Sequence, residues 1–143
     1  MTVKTILSTK GNGVVTIEPT ATLAAAIRIL AEHRIGALVV LGADRRVIGI
    51  VSERDIVRAL SEQGASALNE PAAQVMTRAV VTCGESDTVS AIMERMTTGK
   101  FRHVPVLEQD RLVGIVSIGD AVKHRLIEME AESAALRDYI QTA

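Results

Sequence analysis

Ser52 and Asp55 stand three residues apart in the phrase GIVSERD (49–55), and Ser117 and Asp120 stand three apart in GIVSIGD (114–120). Each pair opens an apolar helical pattern. Each can therefore close a reciprocal cap, in which the serine hydroxyl accepts from the aspartate amide and the carboxylate accepts from the serine amide. The same groups can serve a ligand. A helix start after a glycine-containing strand offers unpaired N–H groups and a partial positive charge to a phosphate, and a carboxylate there can accept from both hydroxyls of a ribose. The cap and the ligand readings are compatible, and the residues leave both open.

The two phrases differ in their middles. Arg54 sets a permanent cation one residue before Asp55, whereas Gly119 precedes Asp120. A phosphate at the first phrase would meet a guanidinium, and one at the second would meet open backbone. Solvation of Arg54, or its pairing with Glu53 or Glu18, is the plainer alternative. Lys10, ahead of Gly11-Asn12-Gly13, can bring an ammonium to a phosphate, although a lysine beside a glycine turn is more often plain surface. His103 either donates to a phosphate or packs within its strand. The histidines 33, 103 and 124 and the lone Cys83 show no metal-ligand spacing, and no nucleophile, base and orienter form a set. The expectation is a protein without a metal and without catalysis, in which Cys83 is a small buried hydrophobe.

These residues need elements to hold them, and the chain writes those elements twice. TIEPTATLAAAIRIL (16–30) aligns with TCGESDTVSAIMERM (82–96) at an offset of 66, and the GIVS phrases align at 65. The lost residue falls where LGADRRVIG (41–49) shortens to LEQDRLVG (107–114), which reads as a hairpin loop. Each half reads strand, helix, strand, strand, helix. In the first, Val14–Ile17 is a short strand, and Leu23, Ala26, Ile27 and Leu30 recur at helical spacing after a cap at Thr20 or Thr22. Ala37–Leu41 and Val47–Val51 follow as strands, then a helix with Ile56, Val57 and Leu60. The second half repeats this with Val89, Ile92, Met93 and Met96, strands at Val104–Leu107 and Leu112–Val116, and a closing helix. SEQGASALNEPA (61–72) reads as the segment between them.

Two tandem β-α-β-β-α units, each with GIVS-x-x-D opening its second helix, resemble the CBS-domain family. The resemblance covers about residues 3–127 and includes QVMT (74–77) and RHVPV (102–106). It implies an α+β fold of two repeats packed as one pseudo-two-fold pair, with a long C-terminal helix added. The expected divisions are a first repeat at 1–62, a linker at 63–72, a second repeat at 73–127 and an extension at 128–143. It also implies a non-catalytic sensor binding adenosine nucleotides such as AMP, ADP, ATP, S-adenosylmethionine or NAD(H) in clefts between the repeats. Carried over by position, one cleft would take Ser117, Gly119 and Asp120 with Ala21, Thr22, Ile35, Gly36 and Ala37. Arg102 would stand on its phosphate side. The other would take Ser52, Arg54 and Asp55 with Asp87, Thr88, Phe101, Arg102 and His103. The competing expectation is a ligand-independent interaction module.

Composition narrows the classes further. In 143 residues, 48% are apolar but only 1% aromatic, so the core must be aliphatic. Sixteen basic against 17 acidic residues leave a net charge of −1, which offers no footprint for nucleic acid or an anionic membrane. No apolar run approaches the ~18 residues a membrane helix needs, no signal peptide is legible, and one cysteine allows no internal disulfide. A reducing cytoplasm is the expected location. Val122, Leu126, Met129, Ser133, Leu136 and Ile140 step by 4, 3, 4, 3, 4 along the last helix, a heptad seam with one polar interruption. Such a seam needs a partner surface, either its own N-terminal half or a second chain. The family resemblance, in which such pairs commonly associate face to face as dimers, implies a homodimer with these helices at or beside its interface, besides a protein partner that the sequence does not identify.

Overall fold

The computed structural model describes residues 1–142. The chain divides into two compact units, one of Gly13–Val81 with Gln109–Val113, the other of Met1–Asn12, Thr82–Glu108 and the chain from Gly114 on. The elements in order are α1 (Val3–Lys10), β1 (Thr16–Ile17), α2 (Leu23–His33), β2 (Ala37–Leu41), β3 (Val47–Ser52), α3 (Glu53–Gln63), α4 (Ala72–Val75), α5 (Val89–Gly99), β4 (His103–Glu108), β5 (Arg111–Ser117) and α6 (Ile118–Thr142).

In the first of these units β1, β2 and β3 form one sheet. β1 runs parallel to β2, with Thr16 opposite Val39, and β3 runs antiparallel, with Ser52 opposite Ala37. Ala37 to Val40 are buried in succession, the pattern of a strand covered on both faces. The helical face predicted from spacing is the one that packs: Leu23, Ala26 and Leu30 enter the core with Leu38, Val40, Val51 and Ile56. Thr22 caps α2 by accepting from the Ala25 amide at 3.2 Å. The polar stretch after α3 is not a loose tether, since Gly64–Asn69 form a 3-10 helix and both Ala67 and Ala72 are fully buried in the same core. Small side chains let this segment press against α2 and α3.

β3 also gains a partner the spacing did not reveal. Ile50 and Thr77 exchange backbone hydrogen bonds of 3.0 and 2.8 Å, which brings Met76 over Gly49. A Cβ on Gly49 would collide with the Met76 side chain and lie 3.0 Å from the Thr77 carbonyl oxygen. The glycine of GIVS is required by that close approach.

In the other unit α1 does what the stretch around α4 does in the first. It buries Val3, Ile6 and Leu7, and it is tied by the Val3 amide donating to the Asp87 carbonyl at 2.9 Å. A Cβ on Gly114 would lie 2.6 Å from a Leu7 methyl carbon, so the second GIVS glycine is required by a different neighbour. The expected first strand of this half shrinks to a single parallel bridge between Cys83 and Val106. β4 and β5 pair as a two-residue hairpin turning at Gln109 and Asp110, both at positive φ (52° and 62°). That is the primed turn such short hairpins demand, achieved here without glycine. α6 packs on α5 and α1 through Ala121 and His124, and then continues exposed to Thr142. No described helix is long and apolar enough to cross a membrane.

Candidate functional site

Both serine–aspartate pairs form the reciprocal cap. At α3 the Ser52 amide donates to Asp55 Oδ2 at 2.9 Å and the Asp55 amide donates to Ser52 Oγ at 3.3 Å. At α6 the Ser117 amide donates to Asp120 Oδ2 at 2.9 Å and the Asp120 amide to Ser117 Oγ at 3.1 Å. Beyond the cap the two carboxylates part company.

Asp55 is committed on both oxygens. Its Oδ2 also accepts from the Ser52 hydroxyl at 3.0 Å, and its Oδ1 accepts from the Thr77 hydroxyl at 3.0 Å and from Arg58, one helical turn on. Its side chain is only 5% exposed. A carboxylate in that setting joins β3, α3 and the QVMT segment into one polar node. Arg58 was not singled out from the sequence, and Thr77 entered only as the end of the phrase QVMT. The Asp55–Arg58 spacing of three was a legible signal; the approach of Thr77 across 22 residues was not.

Asp120 is more open, at 23% side-chain exposure, and the Ser117 amide and Lys10 share its Oδ2. Lys10, at the last turn of α1, donates to Oδ2 at 2.7 Å and to the Ile115 carbonyl at 2.9 Å. Oδ1 takes neither Lys10 nor the Ser117 amide. Burial alone would raise the Asp120 pKa, but the Lys10 hydrogen bond, the Ser117 amide, the Lys10 charge and the Ser117 hydroxyl outweigh it. The net shift is downward, so the carboxylate is ionised at neutral pH and presents a charged acceptor at a helix start.

The remaining candidates fall into place within their own units. In the unit of Asp55, the Glu53 amide donates to the Gly36 carbonyl at 3.0 Å, which holds Ile35, Gly36 and Ala37 beside Ser52 and Arg54. Ala21 and Thr22 sit at the start of α2, where the Ala21 carbonyl accepts from the Ala72 amide at 2.7 Å. In the unit of Asp120, the Ile118 amide donates to the Arg102 carbonyl at 2.8 Å, the counterpart of the Glu53–Gly36 bond. His103 begins β4 and Phe101 packs its ring on Gly99. Thr88 caps α5 through the Ala91 amide at 3.1 Å. Asp87 accepts from the Gly84 amide at 2.8 Å and pairs with Arg95 at 3.7 Å. Gly119 differs from the GIVS glycines: a Cβ there would meet only Ser117 Oγ, at an ordinary 3.6 Å.

Cys83 is buried, and its thiol pKa is pushed up to about 12 by that burial and by the Asp87 and Glu108 charges, against the opposing pull of Arg95. The thiol is protonated at neutral pH and is no nucleophile.

Comparison with known proteins extends the picture. The family model described as the CBS domain matches residues 3–62 and again 72–127. A CBS-domain containing protein of Agrobacterium tumefaciens has a solved structure with a TM-score of 0.85 at 48% identity, covering 87% of this chain and 99% of that one. A CBS domain pair solved in complex with 5-methylthioadenosine and S-adenosyl-L-methionine superimposes with a TM-score of 0.78 at 27% identity, covering 91% of this chain and 98% of that one. A mitochondrial CBS domain-containing protein of Arabidopsis thaliana is 34% identical over 120 residues, 81% of this chain and 58% of its own length. The chain spans less than two thirds of the first curated relatives it matches.

Proposed function

The chain belongs to the CBS-domain family, whose model matches it twice, and from that membership we propose a non-catalytic sensor that binds an adenosine nucleotide and passes the occupancy to a protein partner. AMP is the first ligand to test, with ADP, ATP and NAD(H) beside it. The observation that carries this reading is the state of Asp120: ionised, partly exposed, at the start of a helix, and with the Lys10 ammonium and the Ser117 amide both on Oδ2. A ribose diol can donate to such a group, and the open backbone at Gly119 suits a phosphate. The related pair that holds methylthioadenosine and S-adenosylmethionine supports the adenosine class. The wider residue sets implied by the family resemblance belong to the same proposal.

The two helix starts have different tasks in this reading. Asp55 is a structural node and Asp120 is the ribose acceptor, since an aspartate already accepting four hydrogen bonds has little left to offer a ligand. Calorimetry on nucleotide-stripped protein tests this. AMP, ADP, ATP, NAD(H) and S-adenosylmethionine are titrated in turn, and Asp120→Asn weakens the ligand that binds by roughly tenfold or more. A folded protein that takes up none of them sinks the proposal.

A second reading is favoured by one observation. Leu126, Met129, Leu136, Tyr139 and Ile140 are all exposed on α6, 48% or more, which suits a helix made to associate, with a second copy or another protein. If association alone is the function, Asp120→Asn leaves it untouched while Leu126→Ala or Leu136→Ala abolishes it.

A further inference from the structure

α6 runs on to Thr142, past residue 127 where the family model ends, and its exposed seam is not covered by its own chain. Val122 is 40% exposed, Leu126 54%, Met129 48%, Leu136 60% and Ile140 64%. These residues and Ser133 fall at alternating d and a positions of a heptad. The charges beside them decide what can cover them.

Arg125 and Glu132 take the g positions along one side of the seam, and Lys123, Glu130 and Arg137 take the e positions along the other. In a parallel, in-register pair each g residue faces the e residue five positions on in the second helix. Arg125 then meets the second copy's Glu130, and Glu132 meets the second copy's Arg137. An antiparallel pair overlaying the same seam does the opposite, setting Glu130 against Glu130, Glu132 against Glu132 and Lys123 against Arg137. The surface is complementary to itself in one orientation and repels itself in the other.

We propose that α6 is the dimerisation element of this protein, pairing with a second copy as a parallel two-stranded coil over Val122–Ile140. The pairing rests on the dimer reading of the exposed helix and gives it an orientation; it does not depend on nucleotide binding. A symmetric pair of this kind closes on itself and leaves no seam open.

The test uses the full-length chain in sedimentation equilibrium. Glu132 and Arg137 are both exposed, so Glu132→Arg and Arg137→Glu leave the folded units unchanged, which circular dichroism verifies. Each single substitution weakens the dimer by about tenfold, because two opposite-charge contacts become like-charge contacts by symmetry. The double variant swaps the charges and restores dimerisation. Ser133→Cys, on the axis of a parallel pair, joins to its own copy under mild oxidation, while buried Cys83 stays reduced. A dimer that ignores both single substitutions, or one the swap fails to rescue, overturns the parallel coil but leaves a dimer through another face. A protein monomeric throughout overturns both. Loss of nucleotide binding alone leaves the coil standing and counts against the sensor.

Discussion

At the scale of residues, the pair Asp55 and Asp120 shows how one phrase can be used for two purposes. Both close a cap; only the first is sealed. Asp55→Ala removes the buried carboxylate that Ser52, Thr77 and Arg58 share and opens the cap of α3; since Arg58 and Thr77 can turn to water, it should cost about 1–2 kcal/mol in urea denaturation. Asp120 makes its contribution in a way that depends on pH. Its folded pKa lies below the unfolded value, so its stabilisation is fully present above about pH 4 and is lost as pH falls through the lower folded value. The stability gap between the wild type and Asp120→Asn, measured as a function of pH, should therefore be constant near neutrality and close below about pH 4. A gap that widens in acid would contradict the ion pair with Lys10.

At the scale of elements, three glycines and a helix end carry separate lessons. Gly49→Ala should destabilise by about 2–3 kcal/mol, because the new methyl meets backbone as well as the Met76 side chain. Gly114→Ala should cost less, about 1–2 kcal/mol, since Leu7 presents only its flexible methyl end. Gly119→Ala, with open space around it, should raise stability by roughly 0.5–1 kcal/mol through helix propensity. Thermal denaturation of the three variants ranks them, and a different order would show that the close approaches are misplaced. α2 ends on Arg34 at φ 54°, and the equivalent α5 ends on Lys100 at φ 59°. Left-handed caps made by long cationic residues carry strain that glycine would not. Arg34→Gly should stabilise by about 0.5–1 kcal/mol, read in the same experiment.

At the scale of the whole molecule, the repeats are legible and their packing is not. The helix spacing, the strand order and the serine–aspartate caps could all be read along the chain, because each depends on residues within a few positions of one another. The segment between the repeats read as a polar linker, yet Ala67 and Ala72 are core, because a buried alanine in a polar stretch leaves no periodic trace. Deleting residues 1–12 tests the most consequential of these placements. It should strip Val3, Ile6 and Leu7 from the unit of Val104, Val106 and Val116 and speed amide exchange there, while the sheet of β1, β2 and β3 keeps its protection.

The sequence by itself determined the duplication, the two capped helix starts, the aliphatic core and the heptad seam, all of them patterns of short range or of repetition. Only the tertiary structure decided that α1, which lies within the first repeat along the sequence, packs into the unit of the second. It alone set Met76 on Gly49 and Leu7 on Gly114, Thr77 on Asp55 and Lys10 on Asp120. The reason is physical. A cap is specified by neighbours in sequence, whereas the exposure of a carboxylate depends on which distant segment folds over it, and two phrases that share their cap residues can be covered by different chains of contacts.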